Sequence, residues 1–362
     1  VNNRVYNFCP GPCTLPLEVL EETQSELVDY KGSGMSIVEH SHRGKNFSEV
    51  HGDAVSLVRE LLNVPEEFSI LFVQGGATLQ FAMTAMNLLG PSQKAGFINS
   101  GHWAKAAIAD ARVYGETYFA WDGAGENFTR MPQSSELEIQ ENTRYLHVTT
   151  NETIGGVRLF DWPKTDVPLI GDMSSDYMSR RIPWDAMDVA YGGVQKNLGP
   201  SGVALVILRK SILEGIVRDL PSYLNYRTLE ESDALFNTPP VFSIYVVGKV
   251  LKYYKERGGV DEFEKLSIER CGYLYDAIDS SGGFYRCPVS GESRSRMNVV
   301  FRIENEDLEE KFIAQAESRN FANLAGHRSV GGIRASIYNS MPMEGVQKLA
   351  DFMKEFRSAH TG

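Results

Sequence analysis

Six short apolar runs, alternating with stretches of helical period, constrain this chain more than any other feature. The runs cover residues 69–73, 95–99, 145–149, 167–170, 189–191 and 203–208, each bounded by Gly, Asn or Asp. Continuous apolar runs of that length suit strands buried on both faces. Between several of them lie helical stretches. The clearest places Phe47, Val50, Ala54, Leu57, Val58, Leu61 and Leu62 on one stripe, the pattern of a helix packed against a core. Repeated strand–helix alternation predicts an α/β layer fold with a mainly parallel sheet flanked by helices.

The pattern changes near Gly258-Gly259. Residues 241–257 read as a long helix. Beyond the Gly pair come a helix (261–278), a strand near 297–301, a helix (307–318), a strand near 332–337 and a helix entered after Pro342. The expected division is a large unit, 16–257, and a small α+β unit, 258–362, with 1–15 as a joining segment.

Lys and Arg total 36 against 47 Asp and Glu, a net charge of −11. An acidic surface repels nucleic acid and anionic membranes, so neither is an expected partner, whereas a small anion answers to a local field. No run approaches the roughly 18 apolar residues of a membrane helix, and residues 1–8 hold no apolar signal core. A cytoplasmic chain is expected. Cys9 and Cys13 are spaced C-x-x-x-C with no His nearby, and Cys271 and Cys287 lie far off. Neither a metal site nor a redox pair is expected from that spacing.

Three segments carry candidate chemistry. In Gly192-Gly193-Val194-Gln195-Lys196-Asn197-Leu198-Gly199, a single Lys sits among glycines between two strand-like runs. Taken alone it is an ordinary solvated loop residue. Held near a ligand and partly desolvated, a Lys has a lowered pKa and can form a Schiff base. Asp172 ends the run Leu169-Ile170-Gly171, 24 residues before Lys196. It suits an N-cap for the following turn, or a carboxylate that holds a pyridinium nitrogen protonated opposite a reactive lysine. Gln74-Gly75-Gly76-Ala77-Thr78 joins a strand to a helix. Such a helix start can bind phosphate through free N–H groups, or can be a tight turn capped by Thr78. Trp103, after Ser100-Gly101-His102, is either core packing or a stacking surface.

Together these segments resemble one family, the phosphoserine aminotransferases, class-V-like fold-type-I pyridoxal-phosphate enzymes of serine biosynthesis. The resemblance runs from Asn7-Phe8-Cys9-Pro10-Gly11-Pro12 to the C-terminal helix. It includes Ser41-His42-Arg43-Gly44-Lys45, Asn151-Glu152-Thr153-Ile154-Gly155-Gly156, Asp172-Met173-Ser174-Ser175, Gln195-Lys196-Asn197, Phe236-Asn237-Thr238-Pro239-Pro240 and Gly326-His327-Arg328 through Arg334 to Asn339.

The resemblance implies pyridoxal 5'-phosphate as cofactor. Lys196 is then its covalent partner and the acid–base of the reaction. Asp172 pairs with the ring nitrogen, Trp103 stacks on the ring, and Thr153 bonds the ring oxygen. Gly76, Ala77, Thr78 and Gln195 hold the phosphate. Asn237 and Thr238 reach it from the partner subunit of a homodimer. Arg334 grips the substrate α-carboxylate. His42, Arg43, His327 and Arg328 recognise the distal anion. Some family members carry Arg where this chain has Thr78, so here that anion rests more on Arg43 and His327-Arg328. The implied substrates are 3-phosphohydroxypyruvate and L-glutamate, and the products O-phospho-L-serine and 2-oxoglutarate. Three rival readings are weighed beside this one: an alanine–glyoxylate type of transaminase, a cysteine desulfurase, and a phosphate-binding module without chemistry.

Overall fold

The computed structural model describes residues 4–361. Val1–Asn3 of the expected joining segment and Gly362 of the expected small unit lie outside the described residues. The centre is a seven-stranded sheet. Its strands in chain order are β1 (Phe68–Gln74), β2 (Lys94–Asn99), β3 (Glu116–Asp122), β4 (Thr143–Thr149), β5 (Leu169–Asp172), β6 (Val189–Gly193) and β7 (Val203–Arg209). Their order across the sheet is β1-β7-β6-β5-β4-β2-β3. β7 runs antiparallel to both neighbours, and the other four pairs are parallel.

Each of the six apolar runs contributes a strand to this sheet, the run 167–170 only from Leu169 onward. Along β7, Val203, Leu205 and Ile207 enter one core cluster and Ala204, Val206 and Leu208 the other. That two-residue alternation puts apolar side chains on both faces, which is why the run is unbroken. The first cluster is closed by α1 (Lys45–Leu62) and the Val241–Glu256 helix, the second by α2 (Gly76–Leu88) and α3 (His102–Ala111). Each fully buried Leu, Ile or Val here contributes about 1.5–3 kcal/mol. β3 was not among the expected strands. It is an edge strand, and most of its residues stay half or fully exposed.

The C-terminal region builds a three-stranded antiparallel sheet from Tyr285–Arg286, Asn298–Ile303 and Ile333–Ser336. Its cluster also takes Phe8, and Tyr6–Asn7 pairs in parallel with Phe321–Ala322. The N-terminal segment is thereby stitched to the C-terminal region. The Gly259–Asp279 helix bridges the clusters. Val260 and Phe263 pack in the first, while Leu274, Ala277 and Ile278 pack in the third.

Candidate active site at the C-terminal edge of the sheet

β1, β2, β4, β5 and β6 all point the same way, so the segments that follow them emerge at one edge. Parallel-strand ends are where α/β ligand sites form. Gly75-Gly76 follows β1, Trp103 follows β2, and Thr153 follows β4. Asp172 ends β5, and Lys196 follows β6. A cavity of about 490 Å³ opens there. Its lining includes Gly76, Ala77, Thr78, Trp103, Asp172, Gln195 and Lys196.

Lys196 is buried, and its Nζ donates to Thr153 Oγ1 at 2.7 Å. Thr153 Oγ1 in turn donates to Ser175 Oγ at 3.0 Å, and Ser175 Oγ donates to the Asn151 carbonyl at 2.7 Å. This relay fixes where the amine points. Burial pushes the Lys196 pKa down to about 8, against the pull of Asp172 and Glu152 and with the help of Arg334. Gly11 and Pro12 of the N-terminal segment line the same cavity, and Cys13 ties that segment to the lysine loop. Its amide donates to the Gln195 carbonyl at 3.0 Å, its thiol donates to the Lys196 carbonyl, and burial pushes that thiol up to about 12.

Asp172 caps the following turn, one of the two roles the sequence suggested for it. Its Oδ1 accepts from the Ser174 amide at 2.9 Å and the Ser174 hydroxyl at 2.6 Å, closing a local turn. Oδ2 takes no hydrogen bond from the described residues. Burial raises the Asp172 pKa, while Lys196 and the Ser174 donors lower it. Gly192 permits this arrangement, because a Cβ there would come within 2.8 Å of the Ser174 amide nitrogen.

The Gly pair acts as a helix start, but Thr78 is not its cap. Gly75 is the N-cap of α2, with φ of 96° and no side-chain cap bond. The first-turn N–H groups of α2 are therefore free of a side-chain acceptor at the cavity wall. That is the electropositive cradle an anion needs. Trp103 lies half-buried with its ring 5.6 Å from Lys196 Nζ. Its Nε1 is buried without a hydrogen-bond partner among the described residues.

A second cavity of about 500 Å³ is lined by His102, Ile154, Arg302, His327, Arg334 and others. Arg334 is buried, donates from Nη1 to the Thr153 carbonyl at 3.4 Å, and leaves Nε unpartnered. It meets no carboxylate among the described residues, and burial lowers its pKa. His327 sits 5.5 Å ring to ring from His102. Its pKa is lowered by partial burial and by His102, Arg334 and Arg328.

The remaining candidates are less central. Asn237 and Thr238 are exposed and line neither cavity; Gln74 Nε2 donates to Asn237 Oδ1 at 3.0 Å and to the Thr238 carbonyl at 2.9 Å. Arg43 and Arg328 are exposed and line neither cavity. His42 is half-buried, also outside both, with an unpartnered Nε2. Sequence reasoning missed three hydrogen-bond partners at the site: Ser174 on Asp172, Ser175 on Thr153, and Glu152 on the Trp103 amide. All three lie inside motifs quoted above. The only signal for Glu152 was an acid in a stretch of hydroxyl and amide residues, Thr149 to Thr153.

These groups fit pyridoxal 5'-phosphate. A buried amine, a buried carboxylate with a free oxygen, an indole face and an uncapped helix start surround one cavity. They match the aldehyde, ring nitrogen, ring face and phosphate of that group.

Comparison with known proteins agrees. The chain matches the family Aminotransferase class-V over residues 5–349. It is 46% identical over 356 residues to the phosphoserine aminotransferase of Laribacter hongkongensis, covering 98% of this chain and 99% of that one. The structure of the phosphoserine aminotransferase of Bacillus circulans subsp. alkalophilus superposes with a TM-score of 0.96 at 46% identity, covering 98% of this chain and 99% of that one. A PLP-bound phosphoserine aminotransferase from Trichomonas vaginalis gives 0.93 at 36% identity, covering 97% and 100%.

Proposed function

The chain belongs to the class-V aminotransferase family, and from that premise we propose that it transfers the amino group of L-glutamate to 3-phosphohydroxypyruvate. The products are O-phospho-L-serine and 2-oxoglutarate, and the reaction is a reversible step of L-serine biosynthesis. Pyridoxal 5'-phosphate, bound in the Lys196 cavity, supplies the aldehyde that takes the amino group and a ring that accepts electrons.

The chain's own residues do the rest. Lys196, with its pKa near 8, is about one-tenth neutral at pH 7, so its Nζ can take up a proton and return it. The Thr153–Ser175 relay holds that Nζ in place. Asp172 Oδ2 is the group to keep a proton on the ring nitrogen. Gly76, Ala77, Thr78 and Gln195 offer N–H and side-chain donors to the cofactor phosphate, and Trp103 covers one ring face.

The observation that carries the substrate assignment is the double use of Thr153. Its hydroxyl accepts from Lys196 Nζ and its carbonyl from Arg334 Nη1. A carboxylate gripped by Arg334 thus brings its α-amino group beside Lys196. Arg334 is buried without an acid partner among the described residues, the state of a guanidinium kept for a ligand anion. His327 and Arg328 then serve the distal phosphate or carboxylate.

On this reading the working form is a homodimer. The exposed Phe236-Asn237-Thr238 loop serves the partner's cofactor phosphate, and the exposed Arg43 with His42 completes the partner's distal-anion site. Support comes from their position outside the chain's own cavities and from the 47% exposure of Phe236. The division at Gly258-Gly259, into 16–257 and 258–362 with 1–15 as a joining segment, sets Arg334 and Lys196 on different units. No helix among the described residues is long and apolar enough to cross a membrane. All four cysteines are free thiols, which suits a reducing cytoplasm.

Turnover tests the assignment. The protein should form phosphoserine from glutamate and 3-phosphohydroxypyruvate, and Lys196→Ala should abolish it. A Lys196→Ala protein with undiminished turnover would overturn it. Sedimentation should give a dimer; a monomer with full activity contradicts the shared site.

A further inference from the structure

Glu152 is a buried acid beside the active-site cavity, and the chemistry above makes no use of it. Its side chain is 0% exposed. Oε2 accepts from the Trp103 amide at 3.2 Å and Oε1 from the Ala104 amide at 3.0 Å, with a longer bond from Ser100 Oγ at 3.5 Å. Those amides belong to the first turn of α3, whose N-cap Gly101 makes no side-chain cap bond. The cap is supplied instead from another part of the chain. Gly101 lacks a side chain where the carboxylate rests, because a Cβ there would come within 2.9 Å of Glu152 Cδ.

A Ser or Asp at the N-cap itself would satisfy the same donors without burying a distant charge. The remote cap has a cost. Burial pushes the Glu152 pKa up to about 7, with Asp172 adding to the rise, while the two amides and Lys196 oppose it. The arrangement also provides something a local cap cannot. Glu152 directly precedes Thr153, the residue that receives Lys196 Nζ. The clamp therefore ties the backbone of Trp103 to the segment that orients the lysine.

The Trp103 ring has no comparable anchor of its own. Its Nε1 is unpartnered, and its ring neighbours are His102 at 5.1 Å and Phe81 at 6.5 Å. We propose that Glu152 is a positioning residue: by gripping the Trp103 and Ala104 amides, it sets the height and tilt of the Trp103 ring against Thr153 and Lys196, and so the stacking of the cofactor ring.

This rests on the cofactor reading above, and the tests separate the two. Glu152→Gln offers one carbonyl oxygen to two amides and turns an NH₂ toward the other. In the cofactor-free protein, the Trp103 and Ala104 amides should exchange hydrogen about 10–100-fold faster, as for a lost bond to a charged acceptor. In the holoenzyme, visible circular dichroism of the bound cofactor should change, and kcat should fall more than KM for glutamate rises. Glu152→Asp keeps the charge on a side chain one carbon shorter, and should give a smaller change in the same direction.

A double-mutant cycle with Trp103→Ala decides the route. If Glu152 acts through Trp103, Glu152→Gln should change cofactor affinity in the wild-type background and hardly at all in Trp103→Ala. Equal losses in both backgrounds would overturn the proposal. So would unchanged amide exchange in Glu152→Gln or, should that variant fail to fold, in Glu152→Asp. A wild-type protein that takes up no pyridoxal phosphate refutes the cofactor reading instead, and amide exchange still tests the clamp.

Discussion

Replacing Lys196 by Met in the cofactor-free protein isolates the free energy of burying this amine. Burial lowers the Lys196 pKa from 10.5 to about 8. The folded state therefore binds fewer protons than the unfolded state between about pH 8 and pH 10.5, and stability rises with pH across that window. The full penalty applies below about pH 8 and is gone above about pH 10.5. At about 1.36 kcal/mol per pH unit, it amounts to about 3 kcal/mol at pH 7 and about 2 kcal/mol at pH 9. Met has similar bulk and no charge, so Lys196→Met should be free of this pH dependence. Urea unfolding of both proteins at the two pH values gives the comparison. The stability of wild type relative to the variant should rise by about 1 kcal/mol from pH 7 to pH 9. A difference that stays flat or falls would refute the claim that burial dominates the state of this lysine.

Gly75→Ala places a Cβ 2.7 Å from Leu79 Cδ2 at a residue with φ of +96°. It should cost about 1–3 kcal/mol of stability and weaken cofactor binding, read by thermal melting and cofactor titration. Arg334→Lys replaces a bidentate fork by a point charge. KM for both glutamate and phosphoserine should rise about 10–100-fold, the loss of about 1.5–3 kcal/mol for a charged hydrogen bond, and the cofactor spectrum should stay unchanged. Asp172→Asn keeps an oxygen for Ser174 but loses the charge. The protein should still bind cofactor, with kcat reduced about 100-fold or more, a typical proton-transfer contribution, in single-turnover kinetics.

Lys196 and Asp172 were legible because each breaks a strong local pattern: a lysine among glycines, and an acid at the end of an apolar run. Parallel strands then bring such ends to one edge without further information. The apolar runs were legible for the same reason that they are buried, since both faces of the sheet are covered. β3 was not, because an edge strand with half-exposed side chains has no apolar run to see. The direction of β7 was also hidden, as an apolar run reads the same for either orientation.

Glu152 shows a different limit. Its partners lie 48 and 49 residues earlier in the chain, and no local spacing links a buried acid to a helix start elsewhere. Thr78 looked like a cap because it follows a Gly pair, but Gly75 takes that position. The free N–H groups matter more to an anion than a capping hydroxyl would. Arg43, Asn237 and Thr238 could be named only by family resemblance, and within one chain they stay at the surface.

The most direct measurement is a spectral half-reaction. The holoprotein, yellow from its bound cofactor, is titrated separately with phosphoserine, glutamate and alanine under single-turnover conditions. On the proposed assignment, with Arg334 for the α-carboxylate and the His327–Arg328 side for a distal anion, phosphoserine and glutamate should each bleach the colour, while alanine should leave it. Bleaching by alanine as readily as by phosphoserine would contradict the assignment of this site to substrates with two anionic ends.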